Sequence, residues 1–266
     1  MLQAQAEPLD KPESFEANIA IQGRAVEKCF GDVVAVEGAN FEIPAGSFVS
    51  IVGPSGCGKS TLLRMMAGLI PKTSGSLTVH GREVEDPRED VGVMFQRPTL
   101  LPWKTSLDNV LLPTQLKRKP TEDDAERAMD LLRLTGLDDF CFNFPTQLSG
   151  GMQQRVALAR LLNIGADILL LDEPFGALDE FTRERLNIEL SRIVREVNAT
   201  AVFVTHNIAE AIFLADYVMV MTPRPGRLAD VVKVPFGRPR DISLMRDPEF
   251  NDMIGHVRSI LGVEEV

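Results

Sequence analysis

The sequence predicts an α/β fold in which a parallel-sheet core is interrupted by a helical insertion. Three observations carry this expectation. An apolar strand, Phe48–Val52, runs straight into a glycine-rich loop and then a helical repeat. The middle of the chain, from about Pro98 to Leu162, has helical character. Short continuous apolar runs, of the kind buried on both faces of a parallel sheet, then return at Ile168–Leu171, Thr200–Thr205 and Tyr217–Met221.

Taken in order, Met1–Asn18 is polar and acidic, without the basic start and apolar core of a secretory signal, and reads as a flexible tail. Ile19–Ile21, Val33–Val36 and Phe48–Val52 read as short strands separated by Gly31, Gly38 and Pro44-Ala45-Gly46. Leu62, Leu63, Met65, Met66 and Leu69 recur at helical spacing after the glycine-rich loop. In the insertion, Ala128, Met129, Leu131, Leu132 and Leu134 form a helical stripe, with Thr121-Glu122-Asp123-Asp124 as its first turn. A further helix is expected between Asn207 and Leu214. The final segment, with Phe250, Met253, Ile254, Val257, Ile260 and Leu261, reads as an amphipathic helix packed on its own core.

Composition narrows the function classes. The 266 residues suit one large domain or a core with a smaller inserted one. Hydrophobic residues make up 44%, enough for a sizeable core, yet no apolar run approaches the roughly 20 residues of a membrane helix. The net charge of −10 argues against nucleic acid as a partner, because phosphate binders carry a basic excess. The three cysteines, Cys29, Cys57 and Cys141, show no metal-binding spacing and read as reduced thiols.

Three motifs carry chemistry. Gly53-Pro54-Ser55-Gly56-Cys57-Gly58-Lys59-Ser60-Thr61 fits G-x-x-x-x-G-K-[ST] between a strand and a helix. Its glycines let successive N–H groups curl around an anion, Lys59 adds a cation for the outer phosphates, and the Ser60 hydroxyl suits Mg²⁺. Ile168–Leu171 ends in Asp172 and Glu173, a pair placed to anchor a metal and to activate a water. Ser149-Gly150-Gly151 opens a helical pattern, with Ser149 as N-cap and two glycines clearing the approach to the helix end, a second anion-binding arrangement.

On these residues the chain resembles an ABC nucleotide-binding domain from about Ala20 to Pro235. Gly53–Thr61 matches the Walker A motif, Ile168–Asp172 Walker B, and Glu173 the catalytic glutamate. Leu148–Met152 matches the signature, with Met152 where many members carry glutamine. Gln96 resembles the Q-loop glutamine that contacts Mg²⁺ and water, Ala177-Leu178-Asp179 the D-loop, and His206 the switch histidine that reaches the γ-phosphate. Phe30 aligns with the aromatic that stacks on adenine.

The resemblance implies a P-loop NTPase (RecA-like) parallel-sheet core with an antiparallel β subdomain and an inserted α-helical subdomain. The expected division is a tail at 1–18, an ATP-binding core at 19–97 and 164–236, a helical signature subdomain at 98–163 and a C-terminal helical tail at 237–266. It also implies ATP and Mg²⁺ as cofactors and hydrolysis at the interface of a head-to-tail dimer, most simply a homodimer. The expected partners are transmembrane permease subunits and, indirectly, a solute-binding protein, with the chain peripheral on the cytoplasmic face of the inner membrane. Leu100–Val110 and the Arg238-Pro239-Arg240-Asp241 tail resemble the nitrate, sulfonate and taurine importer group. A non-transport or export-type ABC ATPase is the alternative. A P-loop kinase would need neither Leu148–Gly151 nor His206.

Overall fold

The computed structural model describes residues 18–176 and 178–262. All of the expected tail but Asn18, and Ala177 of the D-loop, lie outside the described residues.

The chain opens with two long antiparallel strands, β1 (Ile19–Phe30) and β2 (Val33–Pro44), rather than several short ones. Gly31 supplies the left-handed turn between them, but Gly38 lies inside β2, at an irregularity of the ladder, and does not end it. Next come β3 (Phe48–Val52), α1 (Lys59–Met66), β4 (Ser74–Val79), β5 (Arg82–Glu83) and β6 (Val91–Met94). The helix stops at Met66, so Leu69 falls outside its apolar repeat. The insertion holds α2 (Ser106–Lys117), α3 (Glu122–Leu134) and α4 (Gly150–Ile164). After it follow β7 (Ile168–Asp172), α5 (Glu180–Glu196), β8 (Thr200–Val204), α6 (Ile208–Leu214), β9 (Tyr217–Met221), β10 (Leu228–Lys233) and α7 (Pro248–Ile260).

Two sheets result. The smaller is antiparallel with order β2-β1-β4-β5, and the larger has order β10-β9-β3-β8-β7-β6. In the larger, β9, β3, β8, β7 and β6 run parallel and only β10 is antiparallel. Every residue of β3, β7 and β8 is buried, which is why these strands read as unbroken apolar runs. On one face of the sheet α1 packs with β1, β2 and β4 through Leu62, Leu63, Met66, Phe41 and Ile43. On the other face α4, α5, α6 and α7 cover Phe48, Leu169 and Phe203. A separate cluster of Val110, Ala128, Leu132, Val156 and Ala159 joins α2, α3 and α4. The C-terminal helix packs on its own core through the buried Phe250 and Val257.

Local chemistry sets the helix starts. The Thr121 side chain accepts from the Asp124 N–H while Asp124 accepts from the Thr121 N–H, a reciprocal cap at the start of α3. Asp179 caps α5 by accepting from the Thr182 N–H at 3.0 Å. Two arginines end α6. Arg240 donates to the carbonyls of Ile212, Phe213 and Ala215, and Arg238 donates to that of Leu214. Burial pushes the Arg240 guanidinium down to about 10, which leaves it charged at neutral pH against the negative end of the helix.

Candidate active site

The C-terminal ends of four adjacent parallel strands meet along one edge. In the order β3, β8, β7, β6, they deliver the glycine-rich loop, His206, the Asp172–Glu173 pair and Gln96. The loop strand and the acidic strand are not neighbours, because β8 runs between them. That insertion seats His206 between the loop and the carboxylates. A crevice at the carboxyl ends of parallel strands is where α/β folds bind ligands.

The loop itself is tightly held. Gly58 has φ +105° and precedes α1; a Cβ there would lie 2.6 Å from the Ala35 carbonyl oxygen of β2. Beneath the loop, Gly226 approaches so closely that a Cβ would sit 1.8 Å from the Cys57 carbonyl oxygen. The backbone of Gly226 also pairs with Ala35 and Glu37, so the strand hairpin and the turn before β10 support the loop together. Lys59 is buried at 6% exposure, and its Nζ donates to the carbonyls of Gly53 at 2.8 Å and Pro54 at 3.0 Å. Pro54, Ser55 and Gly56 are exposed, with Arg224 donating to the Gly56 carbonyl at 3.0 Å. Burial pushes the Cys57 thiol up despite the pull of Lys59, so it stays protonated and unreactive.

At the start of α1, Ser60 Oγ donates to Asp172 Oδ1 at 2.7 Å. Asp172 is 4% exposed, and burial pushes its carboxyl up, opposed by the Ser60 hydrogen bond and by Arg64 and Lys59. Glu173 sits in the left-handed region at φ +45°, a conformation that a glutamate adopts only when its surroundings hold it there. Its N–H donates to the Val204 carbonyl at 3.0 Å. That bond aims the side chain outward, where Oε2 accepts from Gln96 Nε2 at 3.3 Å and lies 3.4 Å from His206 Nδ1. Gln96, Glu173 and His206 therefore form one polar cluster, next to the Ser60–Asp172 pair.

The remaining sequence candidates do not join this cluster. Ser149 caps α4, accepting from the Met152 N–H at 3.3 Å, and Ser149 and Gly150 are exposed. A Cβ at Gly150 meets nothing within 4 Å, so that helix start is open to an approaching group. Asp179 is committed to capping α5. Phe30 ends β1, half exposed, with Lys28 Nζ 4.9 Å from its ring centroid. Among the hydrogen bonds of the described residues, none links Ser149, Gly150, Gly151, Asp179 or Phe30 to the Glu173 cluster.

Two residues escaped the sequence reading. Buried Gln154, one turn into α4 from the open helix start, donates from Nε2 to the Gln96 carbonyl at 2.6 Å. Buried Glu210 accepts from Thr205 Oγ1 at 2.5 Å and from Asn187 Nδ2 at 2.9 Å. The glutamine lies two residues past the signature stretch Leu148–Met152. The Glu210 side chain had no sequence signal beyond its place on a short helix.

Known proteins share this fold and much of this sequence. The ABC transporter family model matches residues 36–176. The chain is 46% identical over 235 residues to a taurine import ATP-binding protein of Rhizobium johnstonii, covering 86% of this chain and 89% of that one. It is 42% identical over 224 residues to a nitrate import ATP-binding protein of Synechococcus elongatus, covering 83% and 82%. Among solved structures, the dimeric post-hydrolysis state of the ATP-binding cassette MJ0796, bound to ADP and Pi, superposes with a TM-score of 0.73 at 33% identity, covering 82% of this chain and all of that one. A phosphate loop, an acidic strand end and a second helix start, held on the cassette fold and matched in sequence across most of the chain, place this protein in the ABC transporter family as an ATP-hydrolysing subunit.

Proposed function

We propose that this chain energises the import of a small anionic solute through separate permease subunits, with ATP held by the loop Gly53–Thr61 and hydrolysed at Glu173. The observation that carries the proposal is the Gln96–Glu173–His206 cluster beside the Ser60–Asp172 pair. In this reading Glu173 takes a proton from the attacking water and Gln96 orients that water. Lys59 and His206 face the outer phosphates, and Phe30 stacks on the base.

Ser60, Asp172 and Gln96 offer oxygen donors of the kind Mg²⁺ prefers. No cluster of three or more His, Cys, Asp or Glu able to hold a metal exists among the described residues. So sparse a donor set suits an ion that arrives with the nucleotide and takes most of its ligands from phosphate and water. When bound, Mg²⁺ supplies charge neutralisation on the phosphates.

The open helix start at Ser149, Gly150 and Gly151 is remote from the cluster in hydrogen bonding, which supports its use on the nucleotide of a second copy. Asp179 would lie at the same junction. Segment 98–163 then moves as a unit against 19–97 and 164–236. Between this segment and the sheet edge lies a groove of about 410 Å³, floored by Val93, Leu112 and Leu161 and rimmed by Arg88, Arg97 and Arg160. Its apolar floor and cationic rim fit a short amphipathic permease helix bearing an acidic group. No helix among the described residues is long and apolar enough to cross a membrane, so the permease would supply any helical path. The site of action is then the cytoplasmic face of the membrane, with a solute-binding protein acting from the other side.

The relatives named for taurine and nitrate motivate the choice of solute. The test is ATPase activity of the chain reconstituted with its permease in vesicles, with taurine, an alkanesulfonate or nitrate presented by the binding protein. Stimulation by one of these anions supports the reading. Stimulation only by cationic or neutral solutes, or none with any permease, contradicts it.

A further inference from the structure

Beneath the Glu173 cluster lies a second polar network that the hydrolysis scheme does not use. Glu210 is 7% exposed and Asn187 3% exposed, in a region that also buries Phe175, Phe203 and Leu186. A carboxylate in such a place is costly unless its acceptors are filled. Here both are: Oε1 accepts from Asn187 Nδ2 at 2.9 Å and Oε2 from Thr205 Oγ1 at 2.5 Å. Thr205 Oγ1 in turn accepts from the Asn207 N–H at 3.0 Å, and Asn207 Oδ1 accepts from the Glu210 N–H at 3.1 Å. The ring of bonds closes on itself around His206. It fixes the residues on both sides of the histidine and leaves the imidazole, 59% exposed, projecting from a rigid loop.

The network also reaches the element that follows the acidic strand. Asn187 lies on α5, the helix capped by Asp179, and Arg183 of the same helix donates to the Leu178 carbonyl at 2.8 Å. A cavity of about 10 Å³, no larger than one water, is lined by Glu173 and His206 together with Thr205, Arg183 and Glu210. The Glu210–Thr205 bond thus borders the same small space as Glu173 and His206.

We infer that Glu210 is a positioning residue for hydrolysis: it ties the His206 loop to α5 through Thr205 and Asn187 and so holds the imidazole at its distance from Glu173. The inference rests on the assignment of His206 to the active site. A purely structural buried glutamate would lower stability alone. A positioning glutamate lowers the rate of the chemical step through the histidine and loses its effect when the histidine is gone.

The experiment is a double-mutant cycle on Mg-ATP hydrolysis, with kcat, KM and melting temperature measured for Glu210→Ala, His206→Ala and the double variant. Glu210→Ala is expected to lower kcat about tenfold or more, since small displacements of catalytic groups cost that much. Its KM for ATP should stay within about twofold of the wild type, as uniform binding is untouched. In the His206→Ala background the Glu210 change should add nothing to the loss of kcat. Thr205→Val, which removes one hydroxyl and keeps the side-chain shape, should reproduce the effect, and it carries the cycle if Glu210→Ala does not fold. Multiplying losses in the double variant, or unchanged kcat in both Glu210→Ala and Thr205→Val, overturns the inference alone. Unchanged kcat in His206→Ala overturns the histidine assignment and the inference with it.

Discussion

Asp172 shows how one side chain carries both a stability cost and a function. Its carboxylate is buried and receives one hydrogen bond, from Ser60. Burial is the largest influence on it and pushes its pKa above the ordinary value of 3.8. The folded state therefore holds this proton more tightly than the unfolded chain does. Ionisation costs stability, a cost that is absent below the unfolded value, grows as pH rises from there through the folded one and is complete above it. Asp172→Asn keeps an acceptor for Ser60 and removes the charge. In the absence of nucleotide it should melt higher than wild type at pH 7, by about 2–4 °C for each kcal/mol of relief. The gap should close as pH approaches 4. Mg-dependent hydrolysis should fall by about a hundredfold or more, as expected when a transition-state contact is lost. Calorimetry across pH, with steady-state ATPase assays, checks both; a lower melting temperature at pH 7 contradicts the burial argument. At Lys59, Lys59→Ala should weaken nucleotide binding itself, and unchanged ATP affinity by titration calorimetry would count against the phosphate-loop assignment.

At the scale of elements, links between distant segments matter more than the motifs they join. Gly226 precedes β10, yet it props the phosphate loop from below. Gly226→Ala should force the Cys57 peptide to move and reduce ATP affinity about tenfold or more, while leaving the sheet intact, as binding titration and circular dichroism would reveal. Gln154 joins α4 to the Gln96 carbonyl, so a tilt of the helical segment would draw Gln96 away from Glu173. Gln154→Ala should leave ATP binding unchanged but weaken stimulation of the ATPase by the permease; full stimulation would sink this role. Much of the element pattern was legible because the signals are local: Gly53–Thr61 dictates strand, loop and helix, and Thr121–Asp124 contains both halves of its cap. What escaped depends on long-range contact or on weak pattern. The charged α5 buries only a narrow apolar stripe of Leu186, Leu190, Ile193 and Val194, with Asn187 beside it. The strand β6 is four residues long, and β1 and β2 persist through irregular registers that look like breaks in sequence. Gln154 and Glu210 acquire meaning only when Gln96, Thr205 and Asn187 are brought beside them.

For the whole molecule, the arrangement of charge is decisive. The chain carries a net charge of −10, yet both ends offered to phosphate are positive: the loop before α1, with Lys59, and the bare start of α4. Among the described residues no hydrogen bond joins them, so a single chain presents two half-sites. ATP would then bridge two copies, and the γ-phosphate would hold them closed until it is cleaved. The most direct test is the mass in solution of Glu173→Gln, measured by light scattering with and without Mg-ATP. Retained ATP binding, hydrolysis reduced by about 10²-fold or more and a shift from one to two copies on adding Mg-ATP are expected, with Gly150→Asp abolishing the shift. A chain that stays a single copy when saturated with Mg-ATP, or that hydrolyses at the wild-type rate without Glu173, would contradict the two-copy site.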